Sequence, residues 1–360
     1  MSRTSKSHYI GCLIGGAIGD ALGAPIEFMS SPEIQERYGD SGVKGYVEFR
    51  DGHGEFTDDT QMTLFTAEAL LRAELRSHMR GIGGAYPQIA HCSYLRWLKT
   101  QGKETNHRLS GTEMVDSGWL INQKGLHIQR APGNSCISAL MSERSRSIDE
   151  PINNSKGCGG IMRVAPVGLM RYESPDIAFQ WGCDSAAITH GHSTGYLSAG
   201  FFASMISAIV SGATLTESIE TAKELLCAQE HHKEVLDAVK AAERAAQTGS
   251  FSVATLENLG EGWIAEEALG ISLYCCLTHQ DNLLSGVLSA VNHGGDGDST
   301  GSIAGNILGL IHGVDAIPEK LANNLQLSDL VCEMAEDLYI RVKGDMDNPN
   351  EDWCKKYPGF

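Results

Sequence analysis

Apolar residues along the chain recur mainly at helical spacing. Between residues 60 and 76, Leu64, Ala67, Leu71 and Leu75 fall on one side of a helix, because positions three or four apart share a face. The same kind of pattern predicts further helices over residues 195–210, 216–228, 231–247, 263–277 and 283–292. Strand-like alternation is scarce, and residues 44–50 are the best strand candidate. The pattern therefore predicts an all-α fold.

Two segments carry glycine at every fourth position, so the glycines of each segment share one helical face. They are Gly11, Gly15, Gly19 and Gly23 near the N-terminus, and Gly301, Gly305, Gly309 and Gly313 near the C-terminus. Each glycine costs a helix interior about 1 kcal/mol relative to alanine. Close approach of two backbones would offset that cost. We therefore expect both helices to be buried near one another at the centre of the fold.

Composition and charge narrow the class of protein. The 360 residues are 42% hydrophobic, enough for a substantial core, and no Pro-, Ser- or Gly-rich linker divides them; we expect a single domain over residues 1–360. The formal net charge of -17 argues against general nucleic-acid binding, because phosphate contacts need a basic face.

Hydropathy and cysteine usage indicate the compartment. No stretch of about 18 uncharged apolar residues is present, so no segment is expected to span a membrane. The ten cysteines are scattered without a CxxC pair, and the N-terminus lacks the layout of a signal peptide. We therefore expect reduced cysteines and a cytoplasmic protein.

The first segment with chemical potential is Thr57-Asp58-Asp59, directly before the helix predicted at 60–76. Hydroxyl and carboxylate groups at a helix start commonly cap free backbone amides and complement the helix dipole. Capping alone explains this segment when it is considered by itself.

The second segment is Asp296-Gly297-Asp298-Ser299, which enters the later glycine-rich helix. Two carboxylates two residues apart, with an adjacent hydroxyl, can converge on a hard cation. An EF-hand starting at Asp296 would need glutamate where Ile307 stands, and a Walker loop would need a lysine that is absent. Together the two segments could hold two divalent metal ions. Oxygen-only ligands suit Mg²⁺ or Mn²⁺ and disfavour zinc, so we expect one of these two metals.

A small-residue loop lies between these segments. Its residues can present backbone amides to a diphosphate, although an ordinary tight turn has the same composition. Downstream, His190 can contact a ligand or serve as a structural histidine. The loop consists of Ser155, Lys156, Gly157, Cys158, Gly159 and Gly160.

Taken together, the chain resembles the ADP-ribosylglycohydrolase family over nearly its whole length. The matching stretches, in order, are GGAIGDALGAPIE (15–27), FTDDTQM (56–62), GCGGIMRVAPVGL (157–169), ITHGHS (188–193), GWIAEEALGISLY (262–274) and GGDGDSTGSIAGNILG (294–309). The resemblance implies a single compact orthogonal helical bundle with a binuclear Mg²⁺ or Mn²⁺ centre. The implied metal ligands are Thr57, Asp58, Asp59, Asp296, Asp298 and Ser299.

The resemblance also implies roles for residues around the metals. Glu27 matches a glutamate at the metal cleft of some relatives, and residues 155–160 with His190 match the part that holds ADP-ribose. Asp20 is expected to support the ligands rather than to bind metal. The chain departs from the family pattern at Ser299, usually threonine, and at Cys158, often asparagine.

The activity implied is metal-dependent removal of ADP-ribose from modified protein side chains, with ADP-ribosyl-arginine preferred. Asp58 or Asp59 would serve the attacking water, and Glu27 is the next acid–base candidate. Reversal of a toxin's ADP-ribosylation, as by an immunity protein, is one implied role, and an ADP-ribosyltransferase toxin the implied partner. The alternatives are a noncatalytic relative that binds ADP-ribose, occludes a partner or is crystallin-like, and a metal-dependent phosphohydrolase.

Overall fold

The computed structural model describes residues 2–47, 53–247, 249, 251–344 and 350–359. Within these ranges the chain forms α-helices and short 3-10 turns, and its only extended pairings are two isolated bridges, Gly54–Leu325 and Gly157–Ile264. The helices are α1 (Lys6–Gly23), α2 (Ser31–Tyr38), α3 (Asp58–Arg80), α4 (Tyr86–Thr100), α5 (Glu113–Asp116), α6 (Asn134–Leu140), α7 (Ala165–Met170), α8 (Pro175–Ala187), α9 (Ser193–Ser211), α10 (Leu215–Cys227), α11 (Lys233–Ala246), α12 (Val253–Glu257), α13 (Ala265–Thr278), α14 (Leu283–Val291), α15 (Gly297–His312), α16 (Glu319–Asn323), α17 (Ser328–Val342) and α18 (Glu351–Lys356).

The all-α prediction is confirmed. Each helix predicted from periodicity is present, as α3, α9, α10, α11, α13 and α14. The prediction for 231–247 was wrong at its start, because His231 has a positive φ of 59° and α11 begins two residues later. Residues 44–47 of the strand candidate form no strand, and 48–50 lie outside the described residues.

Helices α1 and α15 pack antiparallel, with backbone against backbone, as the glycine spacing predicts. A Cβ on Gly15 would lie 2.4 Å from the carbonyl oxygen of Gly305, and one on Gly19 would lie 2.0 Å from that of Gly301. No side chain fits at these positions. Because the helices are antiparallel, the C-terminal end of α1 lies beside the first turn of α15, and a Cβ on Gly23 would meet the amide nitrogen of Asp298 at 2.4 Å.

The long apolar helices form the interior of the protein. By length and composition, the segments Lys6–Ile26 and Ser193–Ser211 are apolar enough to cross a membrane, but 89% of the most apolar 18-residue stretch of each is buried inside the protein. Buried core helices pass the same test, and such burial is typical of them. The absence of a membrane span stays a prediction.

Candidate active site

Asp20, on the last turn of α1, fixes the start of α3. Its Oδ1 accepts a hydrogen bond from the backbone amide of Thr57 at 2.8 Å. Its Oδ2 accepts two from Thr60, one from the amide at 3.0 Å and one from the hydroxyl at 2.6 Å. Both oxygens of this fully buried carboxylate are therefore committed to α3. The contacts give Asp20 the supporting position that the sequence predicts for it.

The two predicted carboxylate segments meet at the Thr57 hydroxyl. Its Oγ1 lies 3.3 Å from Oδ2 of Asp59 and 3.3 Å from Oδ2 of Asp298. Thr57 and Asp296 are the N-cap residues of α3 and α15, so the capping function and the convergence occur together. In the first turn of α15, the amide of Ser299 donates to Oδ1 of Asp298 at 2.9 Å. The antiparallel packing of α1 on α15 therefore brings together segments far apart in sequence.

Glu27 joins this carboxylate cluster from the short turn that follows α1. Glu27, Asp296 and Asp298 each offer an oxygen atom, and these three atoms lie within 4.8 Å of one another. Asp59 is 3% exposed, and its Oδ1 has no hydrogen-bond partner. Within the described part of the chain, no ion pair involves any of these four residues.

The cluster fits a divalent metal ion. Its donors are carboxylate and hydroxyl oxygens, which hard cations such as Mg²⁺ and Mn²⁺ prefer. A buried carboxylate oxygen without a partner is costly unless a cation or a proton satisfies it. The structure brings Thr57 and Asp59 of the first segment to Asp298 of the second, whereas Asp58 accepts from Gly133 and the Ser299 hydroxyl faces Met162. Which of the predicted ligands bind a metal stays a prediction.

Burial and mutual repulsion both raise the pKa values of the clustered carboxyl groups. Burial, followed by the nearby charge of Asp298, raises the pKa of Glu27 to about 9 and that of Asp20 to about 7. The same two causes raise the pKa values of Asp58, Asp59 and Asp296 well above the ordinary range. When no cation is bound, these carboxyl groups therefore keep protons to a higher pH, which reduces the negative charge of the cluster.

We expect the metal-free protein to lose stability as the pH rises. A carboxyl with a higher pKa in the folded than in the unfolded state lowers the free energy of unfolding between those two values. For Glu27 the interval runs from 4.5 to about 9. The free energy of unfolding, measured with urea in EDTA, should therefore be lower at about pH 9 than at about pH 7. Histidines are neutral over this interval, so their titration does not contribute to the change.

Two comparisons complete this test. Glu27→Gln should flatten the decline, and saturating Mg²⁺ should suppress it because the cation then replaces the protons. Rising stability over the same interval would contradict the electrostatic description of the cluster.

The glycine-rich loop packs around His190. A Cβ on Gly159 would lie 3.0 Å from Cε1 of that ring, and one on Gly160 would lie 3.5 Å from Nδ1. Nδ1 of His190 is 2.8 Å from the hydroxyl of Thr189. Burial, and then the charge of Arg163, lowers the pKa of His190 to about 3, so the ring is neutral. The small residues therefore leave room for a buried, neutral imidazole.

Several loop groups predicted to hold ADP-ribose already have partners within the protein. The amide of Gly157 donates to Oγ of Ser155 at 3.3 Å, and that of Cys158 donates to the carbonyl of Trp263 at 3.1 Å. The Lys156 ammonium pairs with Glu234 at 2.9 Å and also with Glu266. The role of residues 155–160 and His190 in ligand binding stays a prediction.

Cys158 contacts the carboxylate cluster directly. Its thiol donates to Oδ2 of Asp296 over an S–O distance of 2.7 Å. Burial, followed by the charges of Asp296 and Asp59, raises the pKa of this thiol well above its usual range. The sequence singles out Cys158 as a departure from the family pattern, but spacing alone gives no sign that its sulfur faces Asp296.

A cleft of about 500 Å³ opens beside Glu27 and Thr57. This size suits a small-molecule ligand. Phe28, 77% exposed, stands at its edge and stacks on Trp263 with ring centroids 5.5 Å apart. A larger cavity of about 720 Å³ lies around Trp119, away from the cluster. The smaller cleft is therefore the better candidate for the substrate, because it adjoins the carboxylates.

One wall of the cleft comes from the loop at residues 128–131. The amide of Asp58 donates to the carbonyl of Arg130 at 3.2 Å, and the amide of Gly133 donates to Oδ2 of Asp58 at 3.2 Å. The Arg130 guanidinium pairs with Glu55 at 2.8 Å and donates to Gln326 at 2.9 Å. Sequence reasoning missed Arg130, because no motif marks it, and gave no role to Glu55, which directly precedes the Phe56-Thr57-Asp58-Asp59 stretch.

Comparison with known proteins identifies the family of the chain. The profile of the ADP-ribosylglycohydrolase family matches residues 1–348. The chain is 26% identical to the ADP-ribosyl-[dinitrogen reductase] glycohydrolase of Rhodospirillum rubrum, covering 88% of this chain and 90% of that protein. It is 23% identical to the ADP-ribosylarginine hydrolase Tri1 of Pseudomonas putida, over 92% and 78% of the two chains. It is 25% identical to human ADP-ribosylhydrolase ARH3, over 88% of each.

A solved structure, described as an ADP-ribosylglycohydrolase-related protein complex, shares the fold. The match has a TM-score of 0.62 at 24% identity and covers 93% of this chain and 97% of the other. It confirms the predicted bundle type. With the family profile spanning nearly the whole sequence, the chain belongs to the ADP-ribosylglycohydrolase family and is an enzyme that hydrolyses the glycosidic bond to ADP-ribose.

Proposed function

We propose that this protein hydrolyses the bond between C1 of the distal ribose of ADP-ribose and the side chain of a modified arginine, with two Mg²⁺ or Mn²⁺ ions. The observation that carries the proposal is the convergence of both carboxylate segments on the hydroxyl of Thr57, 3.3 Å from Asp59 and from Asp298. A relative named as an ADP-ribosylarginine hydrolase supports the choice of arginine.

The metal ions would be held at the cluster. When bound, they supply Lewis-acid chemistry, in which a cation orients hydroxyl groups and lowers the pKa of a water molecule. A purely structural role would give no reason to bury so many carboxylates together, since each carries a desolvation cost. The residues that would hold the ions are Thr57, Asp58, Asp59, Asp296, Asp298 and Ser299.

In the proposed mechanism the chain's own carboxylates handle the protons of glycoside hydrolysis. Asp58 or Asp59 accepts a proton from the attacking water, whose oxygen forms the new bond to C1. Glu27, which lies beside Asp296 and Asp298, donates a proton to the departing guanidine nitrogen as the C1–N bond breaks. The remaining carboxylates stabilise the positive charge that develops on the ribose ring. The products are free ADP-ribose and unmodified arginine.

Acceptor specificity tests the proposal. Purified protein is incubated with an arginine-ADP-ribosylated protein and with a serine-ADP-ribosylated protein, each in Mg²⁺, Mn²⁺ or EDTA. We expect ADP-ribose release from the arginine-linked substrate that requires a divalent cation. Faster release from the serine-linked substrate, or full release in EDTA, would contradict the proposal.

We also propose that the substrates include proteins modified by an ADP-ribosyltransferase toxin in the cytoplasm, as an immunity protein would require. Co-expression with an arginine-modifying toxin tests this role. Survival that depends on Asp59 would support it, whereas toxicity unchanged by the intact protein would contradict it. The toxin partner and the cytoplasmic location stay predictions.

The loop that holds Asp58 gives a further prediction. Arg130→Ala should lower kcat/KM about tenfold, because the loop loses its anchor on Glu55 and the catalytic carboxylate shifts. Steady-state kinetics on the arginine-linked substrate measures the effect. Arg146→Ala, which removes an exposed ion pair with Glu150, is the matched control and should leave kcat/KM unchanged. Equal activity of the two variants would refute the positioning role.

A further inference from the structure

The thiol of Cys158 lies against the carboxylate cluster, and one segment of the chain hydrogen-bonds the backbones of both Cys158 and Asp296. The segment 261–265 binds the backbone of Asp296, whose amide donates to the carbonyl of Glu261 at 2.8 Å. The same segment binds Cys158, whose amide donates to the carbonyl of Trp263 at 3.1 Å. The segment therefore holds the two backbones near each other, and in the structure Sγ of Cys158 lies 2.7 Å from Oδ2 of Asp296.

Cys158 differs in this respect from the other cysteines. All ten cysteines lie in described residues and none is in a disulfide. The other recorded sulfur contacts are to non-acidic groups, such as Arg163 for Cys136 and the carbonyl of Ala304 for Cys276. Among the described contacts, Cys158 alone places its sulfur against a carboxylate.

A second observation shows that the cluster is incompletely satisfied. Oδ1 of Asp59 is buried and has no hydrogen-bond partner, while Oδ2 of the same residue faces the Thr57 hydroxyl at 3.3 Å. Glu27, Asp296 and Asp298 supply three further oxygens close together. The Cys158 thiol adjoins this group through Asp296, one of its three carboxylates.

We propose that Cys158 is an additional ligand at the carboxylate cluster and gives it a preference for thiophilic divalent cations, of which Zn²⁺ is the representative. The inference rests on the metal site of the proposed function. On binding, the S–H bond breaks, a sulfur–metal bond forms, and the proton passes to solvent. Thiolate ligands favour Zn²⁺ strongly over Mg²⁺, and Zn²⁺ also binds mixed oxygen–nitrogen–sulfur sites more tightly than Mn²⁺ does. Zn²⁺ would thus compete with the activating ion for the cluster.

Cobalt titration tests the ligand assignment without an activity assay. Metal-free protein is titrated with Co²⁺, and the near-ultraviolet charge-transfer band of a cobalt–thiolate bond is recorded together with calorimetric binding. We expect the band in the wild type and in Cys227→Ser, a control at an exposed cysteine. It should disappear in Cys158→Ser and Cys158→Ala, which still bind Co²⁺ through the carboxylates.

Competition between Zn²⁺ and Mg²⁺ gives the size of the preference. The ratio of the two affinities should fall at least about tenfold in Cys158→Ser. A band that persists in both Cys158 variants would overturn the inference. Co²⁺ binding without any band would also overturn it, while leaving the proposed metal-dependent hydrolysis intact. Failure to bind any divalent cation, combined with turnover in EDTA, would instead defeat the proposed function itself.

Discussion

Asp59→Asn should lower kcat at least about a hundredfold, since loss of a group that handles a proton typically costs that much or more. The change keeps the shape of the side chain but removes one charge from the cluster. It should also raise the stability of the metal-free protein by about 1 kcal/mol, because functional sites commonly trade stability for activity. ADP-ribose release and urea unfolding in EDTA measure the two effects.

The opposite signs of these effects separate a catalytic from a structural carboxylate. If the fold required this carboxylate, its replacement would lower the stability of the protein, because the hydrogen-bond partners of the carboxylate would be left unsatisfied. The matched control is Asp281→Asn at an exposed position, which should leave both measurements unchanged. If Asp58→Asn and Asp59→Asn each retained full turnover, the catalytic assignment would fail.

Gly305→Ala should destabilise the protein by about 3 kcal/mol or more, as expected for overpacking against a rigid partner. The new Cβ would lie 2.1 Å from the carbonyl oxygen of Gly15, and neither helix can withdraw without separating the first turn of α15 from the end of α1. The unfolding midpoint in urea measures the loss.

Gly270→Ala is the matched control for this substitution. Gly270 also lies inside a helix, α13, but the nearest atom to its new Cβ would be 3.5 Å away, an ordinary contact. Alanine should therefore stabilise the helix there by about 0.5–1 kcal/mol. Similar effects of the two substitutions would show that backbone contact does not explain the glycine spacing.

The architecture was largely predictable because it depends on short-range periodicity. Helical spacing of leucine predicts α3, and glycine at every fourth residue predicts the contact between α1 and α15. Both patterns indicate which face of a helix is buried. The start of α11 was missed because a left-handed turn at His231 leaves no mark in hydropathy.

The site was predictable only in part. The two carboxylate segments are recognisable from the sequence, and Asp20 is placed by its motif, so their meeting follows once the two glycine-rich helices pack together. The contact between Cys158 and Asp296 could not be predicted, because it depends on how the segment 261–265 positions two distant backbones. The same holds for the pair of Arg130 with Glu55.

The glycine-rich loop was predictable from composition, but the hydrogen-bond partners of its amides were not. Composition marks a loop that can bind a diphosphate, but it does not show which amides the protein already uses. In the structure, Gly157 donates to Ser155 and Cys158 donates to Trp263. The hydrogen-bond partners of a backbone are set by tertiary contacts. Ligand contacts therefore need the folded chain, whereas the position of the loop does not.

The products of the reaction show whether the protein removes ADP-ribose from arginine. An arginine-ADP-ribosylated peptide is incubated with the Mg²⁺-loaded or Mn²⁺-loaded protein, and the products are identified by mass spectrometry beside those of Asp59→Asn. We expect free ADP-ribose and unmodified peptide with the wild type, and intact substrate with the variant. Release of AMP would indicate phosphohydrolysis, and intact substrate with the wild type in either metal would contradict the claim that the carboxylate cluster removes ADP-ribose from arginine.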